Sequence, residues 1–237
     1  MKIFKYENTD STNTRAREYA KSTSPEIPAL LIADRHSMGR GRRGRSFESE
    51  KGGLYATLLF APGESDSAVF LTIKAAVALA RAIKKLSGLS VGIKWVNDLF
   101  VRGKKLAGIL AEGIEFDEQG NLKLCALGFG VNLARREFSP EIADIVTTVE
   151  DECGACVDRD ALCLEFVNEF LALNDDEKIL SEYRALSVVL GRTVEVRKLT
   201  GEVFSAKAVE ISDTGALIVR SGDEAEELIS AEVSIKL

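Results

Sequence analysis

The sequence predicts an α+β fold: a mixed, mostly antiparallel sheet with helices packed on it, followed by a small β-barrel. Three observations predict it. Apolar runs of strand length alternate with helical stretches up to about residue 188. Tight polar turns, Arg102-Gly103-Lys104 and Glu118-Gln119-Gly120-Asn121, join consecutive strands as hairpins. After Gly191 the texture changes to short strands separated by glycine turns. A domain boundary is therefore expected near residue 188, dividing the chain into units 1–188 and 189–237.

Taken in order, Ile3 to Glu7 reads as a short strand, and Asp10-Ser11-Thr12-Asn13 offers N-cap candidates for a helix from Thr14 to Lys21. Ala29 to Ala33 and Gly53 to Phe60 read as buried strands. Between Asp66 and Leu86, Val69, Ile73, Val77, Ala80 and Lys84 recur at three- and four-residue spacings, predicting a long helix that stops at Ser87-Gly88 and lies across the sheet. Val91 to Trp95, Leu99 to Val101, Leu106 to Phe116 and Leu122 to Val131 supply further strands. Asp160 to Leu173 and Asp175 to Leu186 read as one or two helices, with Leu162, Phe166, Phe170 and Leu171 as the buried stripe. The final unit carries strands at Thr193 to Val196, Val203 to Ile211, Ala216 to Val219 and Glu227 to Ile229.

Composition limits the function classes. With 237 residues, 46% of them hydrophobic, the chain can fill a substantial core. It has no apolar run long enough for a transmembrane helix and no signal-peptide layout, so a soluble, cytoplasmic protein is expected, with no membrane partner. Four cysteines are few for this length and fit free thiols. A net charge of −6 argues against generic nucleic-acid binding, and no DNA partner is expected.

Against that acidic background, Gly39-Arg40-Gly41-Arg42-Arg43-Gly44-Arg45 interleaves four arginines with three glycines. Glycines let backbone N–H groups turn inward, and guanidinium forks reach phosphate or carboxylate oxygens in pairs. The segment satisfies the G-x-G-x-x-G pattern literally. A dinucleotide fingerprint needs a helix opening out of the loop, however, whereas Ser46 to Gly52 is polar and leads into a strand. No Lys-Ser or Lys-Thr closes a Walker loop either. The segment reads as a trap for a small anion, the plainer alternative being a solvated basic loop.

A second cluster runs Lys94-Trp95-Val96-Asn97-Asp98-Leu99, then Lys104-Lys105-Leu106-Ala107-Gly108-Ile109-Leu110. Two strands joined by a tight turn bring Asn97, Asp98 and Lys105 together. Strand alternation sends Lys105, Ala107 and Ile109 to one side and Leu106, Gly108 and Leu110 to the other. Lys105 is either a solvated strand end or an ammonium placed to steady a carboxylate attacking a phosphate. Trp95 reads as core. Ser11, Thr12 and Asn13 either cap a helix or hydrogen-bond a polar ring in a pocket. Cys153-Gly154-Ala155-Cys156 has metal or redox spacing but lacks a second pair or a nearby histidine. Gly128-Phe129-Gly130-Val131-Asn132 ends a strand with small residues where a nucleotide can lie against backbone. With one histidine and no Gly-x-Ser-x-Gly elbow, acyl transfer through a protein nucleophile is disfavoured. A reaction whose nucleophile is the substrate's own carboxylate needs only positioning and positive charge around a triphosphate.

Together these segments resemble the biotin-protein ligase family, also called biotin-[acetyl-CoA-carboxylase] ligase, in order and spacing. The resemblance is strong to about Leu133 and weaker beyond. It implies a class II synthetase-like catalytic domain followed by a small SH3-like β-barrel, in the form without an N-terminal DNA-binding domain, and a homodimer is a common state of that family. It implies two steps: biotin and MgATP give biotinyl-5′-AMP and pyrophosphate, and a lysine of a biotin carboxyl carrier domain then takes the biotinyl group. By this resemblance Ser11, Thr12, Asn13, His36 and Arg40 line the biotin pocket, with Gly108 leaving space beside the valeryl chain. Arg42, Arg43 and Arg45 close over the adenylate, with Arg42 holding it. Lys105 stabilises the carboxylate and α-phosphate, Gly128, Gly130 and Asn132 meet the nucleotide, and Asn97 and Asp98 place ATP or Mg²⁺, Asp98 being the metal candidate.

The chain departs from the family pattern in three places. His36 replaces a usual glutamine, Val96 a usual proline and Thr57 a usual serine. The C-terminal end lacks the usual glycine pair and late arginine. The rival readings are a lipoate or octanoate ligase or transferase of the same fold, disfavoured by the missing Gly-Gly-Gly-Ala run, and a non-enzymatic adenylate or nucleic-acid binding module.

Overall fold

The structure is a computed structural model that describes residues 1–41, 44, 46–63, 66–229 and 231–235. Twelve strands and five helices are formed by these residues. The larger sheet contains β1 (Lys2–Thr9), β2 (Ala29–His36), β3 (Gly53–Phe60), β4 (Gly92–Lys94), β5 (Asp98–Val101), β6 (Lys104–Phe116) and β7 (Leu122–Asn132), in the order β1-β2-β3-β7-β6-β5-β4. Only the β1–β2 pair is parallel; every other neighbouring pair in this sheet is antiparallel. The expected mixed, mostly antiparallel sheet is thus present.

Helix α1 (Thr12–Ala20) covers one face of the sheet, and α2 (Ala68–Ser87), α4 (Arg159–Ala172) and α5 (Asp176–Leu186) are stacked on the other. Strand alternation sorts the side chains accordingly. Leu54, Ala56 and Leu58 of β3 and Leu127, Phe129 and Val131 of β7 enter the large core with α2 and α4. Leu59 and Ala126 enter a small core under α1. Gly128 and Gly130 share a strand face with Ala126, so they lie on the α1 side. Helix α2 is buried around most of its circumference between Leu71 and Ile83, because it lies between the sheet and α4 and α5.

Several expectations shift. Helix α1 starts at Thr12, two residues before the expected Thr14, with Ser11 at the N-cap position. In α4, Leu162, Phe166 and Phe170 are buried as expected, but Leu171 is 56% exposed and Val167 is buried in its place. The short α3 (Val149–Cys153) was not expected; Thr148 caps it by accepting from the backbone N–H of Asp151.

The remaining strands, β8 (Thr193–Arg197), β9 (Val203–Ile211), β10 (Leu217–Ser221), β11 (Glu224–Leu228) and β12 (Glu232–Ile235), form a second sheet in the order β11-β10-β9-β8-β12. The expected β-barrel is not formed: β11 and β12 are the two edges and do not pair with each other, so this sheet stays open. Short strands at turn spacing specify a small antiparallel sheet, whereas closure depends on the two edges meeting, for which strand rhythm carries no signal. Its apolar face, including Val194, Val196, Ala208, Leu217 and Val233, belongs to the same continuous core as α2 and the larger sheet.

Among the described residues no helix is long and apolar enough to cross a membrane. Phe166 is fully buried and its ring lies 4.1 Å from that of Phe129 and 5.9 Å from that of Phe170. Phe166→Ala is expected to cost about 3–5 kcal/mol in urea unfolding, and Leu171→Ala to stay within about 0.5 kcal/mol. Equal losses from the two would contradict the observed stripe.

Candidate active site

One pocket gathers residues from α1, β2, the loop before β3, the β4–β5 turn, β6, β7 and the segment containing β12. At one end the first turn of α1 brings Ser11, Thr12 and Asn13 against the sheet, and all three are buried. Ser11 occupies the N-cap position with extended backbone, yet its hydroxyl makes no capping bond. The Thr12 backbone N–H, the first of the helix, donates to Nε2 of His36 at 3.2 Å. Ser11 lines the pocket.

Thr57 Oγ1, on β3, lies 2.7 Å from Thr12 Oγ1 and 2.6 Å from Asn13 Oδ1. An amide oxygen can only accept, so the single Thr57 proton goes to Asn13 and the Thr12 hydroxyl donates to Thr57. Asn13 Nδ2 in turn donates to Glu112 Oε2 at 2.7 Å. The relay fixes the polarity of this end, leaving Thr12 with lone pairs to offer a ligand. Gly128 is required here, since a Cβ on it would stand 2.3 Å from Asn13 Oδ1.

At the other end Lys105 Nζ lies 2.7 Å from Asp98 Oδ1, both side chains being largely buried. Strict alternation does not describe this stretch of β6. Leu99 pairs with Ala107 but Phe100 pairs with Lys105, so Leu106 is an extra residue and the strand bulges there. The bulge brings Lys105 to the same side as Gly108: a Cβ on Gly108 would be only 3.4 Å from Lys105 Nζ and Asp98 Oδ1. That contact is ordinary, so neighbouring protein atoms alone do not demand glycine at 108. Asn97 Nδ2 donates to the carbonyl of Ile109, and Ile109 N–H donates to the carbonyl of Asn97, tying the turn to β6.

Phe47 bridges the two ends. A Cβ on Gly130 would lie 2.9 Å from the Phe47 ring, and Lys105 Nζ stands 5.7 Å from the ring centroid. The Tyr55 ring lies tilted against His36 with centroids 5.3 Å apart, and its hydroxyl donates to the Glu50 carbonyl; burial raises its pKa to about 12. Arg136 binds the Glu48 carboxylate and carbonyl, fixing the chain next to Phe47. The base of the glycine-arginine loop is held by Phe47 N–H donating to the Gly39 carbonyl and by a bridge between Arg40 and Ser46.

Of the residues singled out in the sequence, Ser11, Thr12, Asn13, His36, Arg40, Asn97, Asp98, Lys105, Gly108, Gly128 and Gly130 all line this pocket. Arg42, Arg43 and Arg45 lie outside the described residues. Asn132 is buried at the end of β7 and is not part of the lining. Trp95 is buried, as expected for core, and donates to the Gly215 carbonyl while also reaching the pocket. The Trp95–Val96 peptide is cis. Cys153 and Cys156 are free thiols, and among the described residues no group of three or more His, Cys, Asp or Glu side chains is placed to hold a metal ion.

Residues 6–132 match the Biotin/lipoate A/B protein ligase family, and residues 189–236 match the Biotin protein ligase C terminal domain. The chain belongs to this biotin/lipoate protein ligase family. It is 32% identical over 240 residues to the Biotin--[acetyl-CoA-carboxylase] ligase of Paracoccus denitrificans, covering 95% of this chain and 97% of that protein. It is 29% identical over 233 residues to the Bifunctional ligase/repressor BirA of Bacillus subtilis, covering 95% of this chain and 71% of the relative. In fold it is similar to the biotin protein ligase from Aquifex aeolicus in complex with biotin and ATP, with a TM-score of 0.83, 24% identity and coverage of 99% and 98% of the two chains.

Within this ligase pocket, sequence reasoning missed Phe47, Ser49, Glu112, Ala231 and Val233. Glu112 could have been noticed as an acid within an otherwise mostly apolar strand. Phe47 is the lone apolar residue in a polar loop. Ala231 and Val233 come from 100 residues further along the chain and carry no local signal.

Burial lowers the His36 pKa to about 4, the Asp10 carboxylate opposing the shift. Linkage sets the effect on stability. The folded chain keeps His36 neutral down to about pH 4, whereas an unfolded chain takes up a proton near pH 6.5. The contribution is therefore full above about pH 6.5 and is lost as the pH falls towards about 4. Between pH 7.5 and 5.0 the wild-type chain should lose about 2 kcal/mol more of its unfolding free energy in urea than His36→Gln, which does not titrate.

Proposed function

We propose that this chain activates biotin with ATP and transfers it to a lysine of a biotin carboxyl carrier domain. The observation that carries the reading is the polarity of the pocket. Uncharged hydrogen-bonding groups (Ser11, Thr12, Asn13, His36) stand at one end and the Lys105 ammonium at the other. That division suits a molecule with a neutral polar ring at one end and a carboxylate at the other.

In the first step a biotin carboxylate oxygen attacks the α-phosphorus of ATP; the bond to the bridging oxygen breaks and pyrophosphate leaves. Lys105 brings the two anions together and neutralises charge as it builds on the α-phosphate. Its ion pair with Asp98 keeps the ammonium aimed until phosphate competes for it. Gly108 leaves the chain of the substrate room to pass, and Gly128 and Gly130, whose side-chain space is taken by Asn13 and the Phe47 ring, are assigned to backbone contact with the nucleotide. Arg40 is assigned to biotin, and Arg42, Arg43 and Arg45 to the phosphates and the adenylate, with Arg42 holding the adenylate. Asn97 and Asn132 are assigned to placement of the nucleotide. In the second step the neutral amine of the acceptor lysine attacks the carbonyl carbon of the mixed anhydride, and AMP leaves. Closure over that anhydride excludes water.

Magnesium accompanies the phosphates of ATP. Asp98 is the one carboxylate among the described residues lining the pocket, and it is paired with Lys105. This donor set suits an ion carried mainly by the triphosphate, with Asp98 as its single protein ligand.

We assign the chemistry to residues 1–188 and support of one pocket wall to residues 189–237. The acceptor is inferred to be the carrier domain of an acetyl-CoA carboxylase, supported by the named activity of the Paracoccus relative. Repression, the second activity named for the BirA relatives, is not proposed for these residues. A lipoate or octanoate reading is consistent with the family as a whole, but the match of residues 189–236 to the biotin-type C-terminal domain favours biotin.

Pyrophosphate release from MgATP without acceptor protein, compared with biotin, lipoate and octanoate, tests the substrate. Release with biotin, together with mass detection of a retained biotinyl-adenylate, is the expected result; release with lipoate or octanoate alone moves the substrate. Lys105→Ala should slow the biotin-dependent release at saturating biotin by about 10²–10³-fold, well beyond the about tenfold weakening of biotin binding expected from losing the carboxylate's partner. An equal loss of biotin binding would assign Lys105 to ground-state affinity instead.

A further inference from the structure

We propose that His36 is a positioning residue which, as the neutral Nδ1–H tautomer, accepts the first N–H of helix α1 through Nε2 and adds no charge to the ring-binding end of the pocket. Biotin is then accepted in one orientation, its carboxylate at Lys105. This inference rests on the reading of the pocket as a biotin site.

The geometry leaves one protonation state. The Thr12 N–H is a donor, and it points at Nε2 from 3.2 Å. Nε2 must therefore offer a lone pair, and the one proton of a neutral imidazole resides on Nδ1. The Thr12 N–H is the first of the helix, one that an N-cap side chain does not ordinarily satisfy, and the Ser11 hydroxyl makes no capping bond of its own. A histidine from β2 satisfies that N–H, while Ser11 lines the pocket.

The surroundings hold that state. Protonation would oppose a backbone N–H with an N–H⁺ at the positive end of the helix, in a site that is largely buried. Asp10, at the junction of β1 and α1, is the charge that favours an imidazolium. Its carboxylate already accepts from the Ser11 N–H, the Thr9 hydroxyl and Arg15. From β3 the ring meets Tyr55, which stays a neutral phenol. The backbone N–H of His36 is bonded to the Ser49 carbonyl, and Arg40 shares the pocket lining.

The consequence is one of orientation. An imidazolium at this end would attract a carboxylate about as well as Lys105 does, and an acyl chain with polar groups at both ends could then bind reversed. A neutral Nδ1–H beside Thr12 lone pairs instead presents a donor and an acceptor without net charge, matching an uncharged cyclic urea. Glutamine, the residue usual here in the family, can supply the same neutral acceptor to Thr12 through Oε1.

His36 is the only histidine in the chain, so long-range ¹H–¹⁵N correlation of the uniformly labelled full-length protein reports this ring alone. At pH 7 without ligand, we expect one protonated nitrogen assigned to Nδ1 and one unprotonated nitrogen assigned to Nε2, unchanged at pH 5.5, with the Nδ1 resonance moving when biotin is added. In parallel, His36→Ala should raise the KM for biotin by about tenfold, the equivalent of one lost capping bond. It should leave the KM for ATP unaltered, and His36→Gln should recover biotin affinity to within about threefold of wild type.

An Nε2–H tautomer or an imidazolium at pH 7, in a protein that still forms biotinyl-adenylate, overturns the inference and leaves the ligase reading standing. The expected tautomer in a protein that gives no heat with biotin overturns the ligase reading, and the orientation argument falls with it. Failure of His36→Gln to recover affinity, in a variant with wild-type unfolding, likewise rejects the capping role.

Discussion

Three polar side chains at the first turn of α1 are buried against a sheet, and the site is arranged around satisfying them. A buried hydroxyl or amide without a partner costs about 1–3 kcal/mol, so Ser11, Thr12 and Asn13 place demands on every element they touch. Strand β3 answers with Thr57 and β6 with Glu112, while β2 sends His36 to the backbone N–H of Thr12. Strand β7 answers by having no side chain at all, because Asn13 occupies the space a Cβ on Gly128 would need. Four strands thus meet at one helix start, and the hydrogen bonds that make the burial tolerable also fix which atoms remain for a ligand.

The charged end arises from a different device. An unbroken β6 would send Lys105 and Gly108 to opposite faces, and the ammonium would have no route to the space beside Gly108. The bulge at Leu106 inserts one residue and turns Lys105 back onto the pocket side. Its backbone is held outside the ladder, with Lys105 N–H donating to the Ile145 carbonyl and its own carbonyl accepting from Thr147 N–H. A lysine set on a bulge and anchored from a neighbouring segment can be aimed independently of the strand it opens. Asp98, opposite Gly108 on β5, supplies the counter-charge without which a largely buried ammonium would be costly.

This division explains what the sequence made legible. The apolar runs, the two hairpin turns and the long α2 were readable because each is decided within a short window. The motif residues on either side of the pocket were readable for the same reason: Ser11-Thr12-Asn13, Lys94 to Asp98 and Lys105 to Leu110 are compact strings. Glu112, Phe47 and the His36–Thr12 bond were not, since each matters through a partner on another element, up to 99 residues away for Asn13 and Glu112. The bulge escaped alternation because a one-residue insertion in a ladder is visible only once both strands are paired. Closure of the last five strands was misread because their periodicity is the same whether or not the two edges meet.

The open second sheet has a mechanical role that a self-contained barrel would not. Because it is not closed on itself, its apolar face completes a core that already includes Ile73 of α2, and Val233 on its edge strand reaches the pocket. The contact is centred on Trp95, whose indole donates to the Gly215 carbonyl at 3.0 Å. Trp95 directly precedes the turn that carries Asn97 and Asp98, and on its far side the Val96 carbonyl accepts from the Tyr183 hydroxyl of α5. The turn is therefore clamped from two directions by elements outside the strands it joins. Its anchoring bonds are buried, so a shift of the C-terminal sheet could not leave Asp98 undisturbed, and with it the aim of Lys105. Residues that touch no substrate in this way share in setting the geometry of those assigned to it.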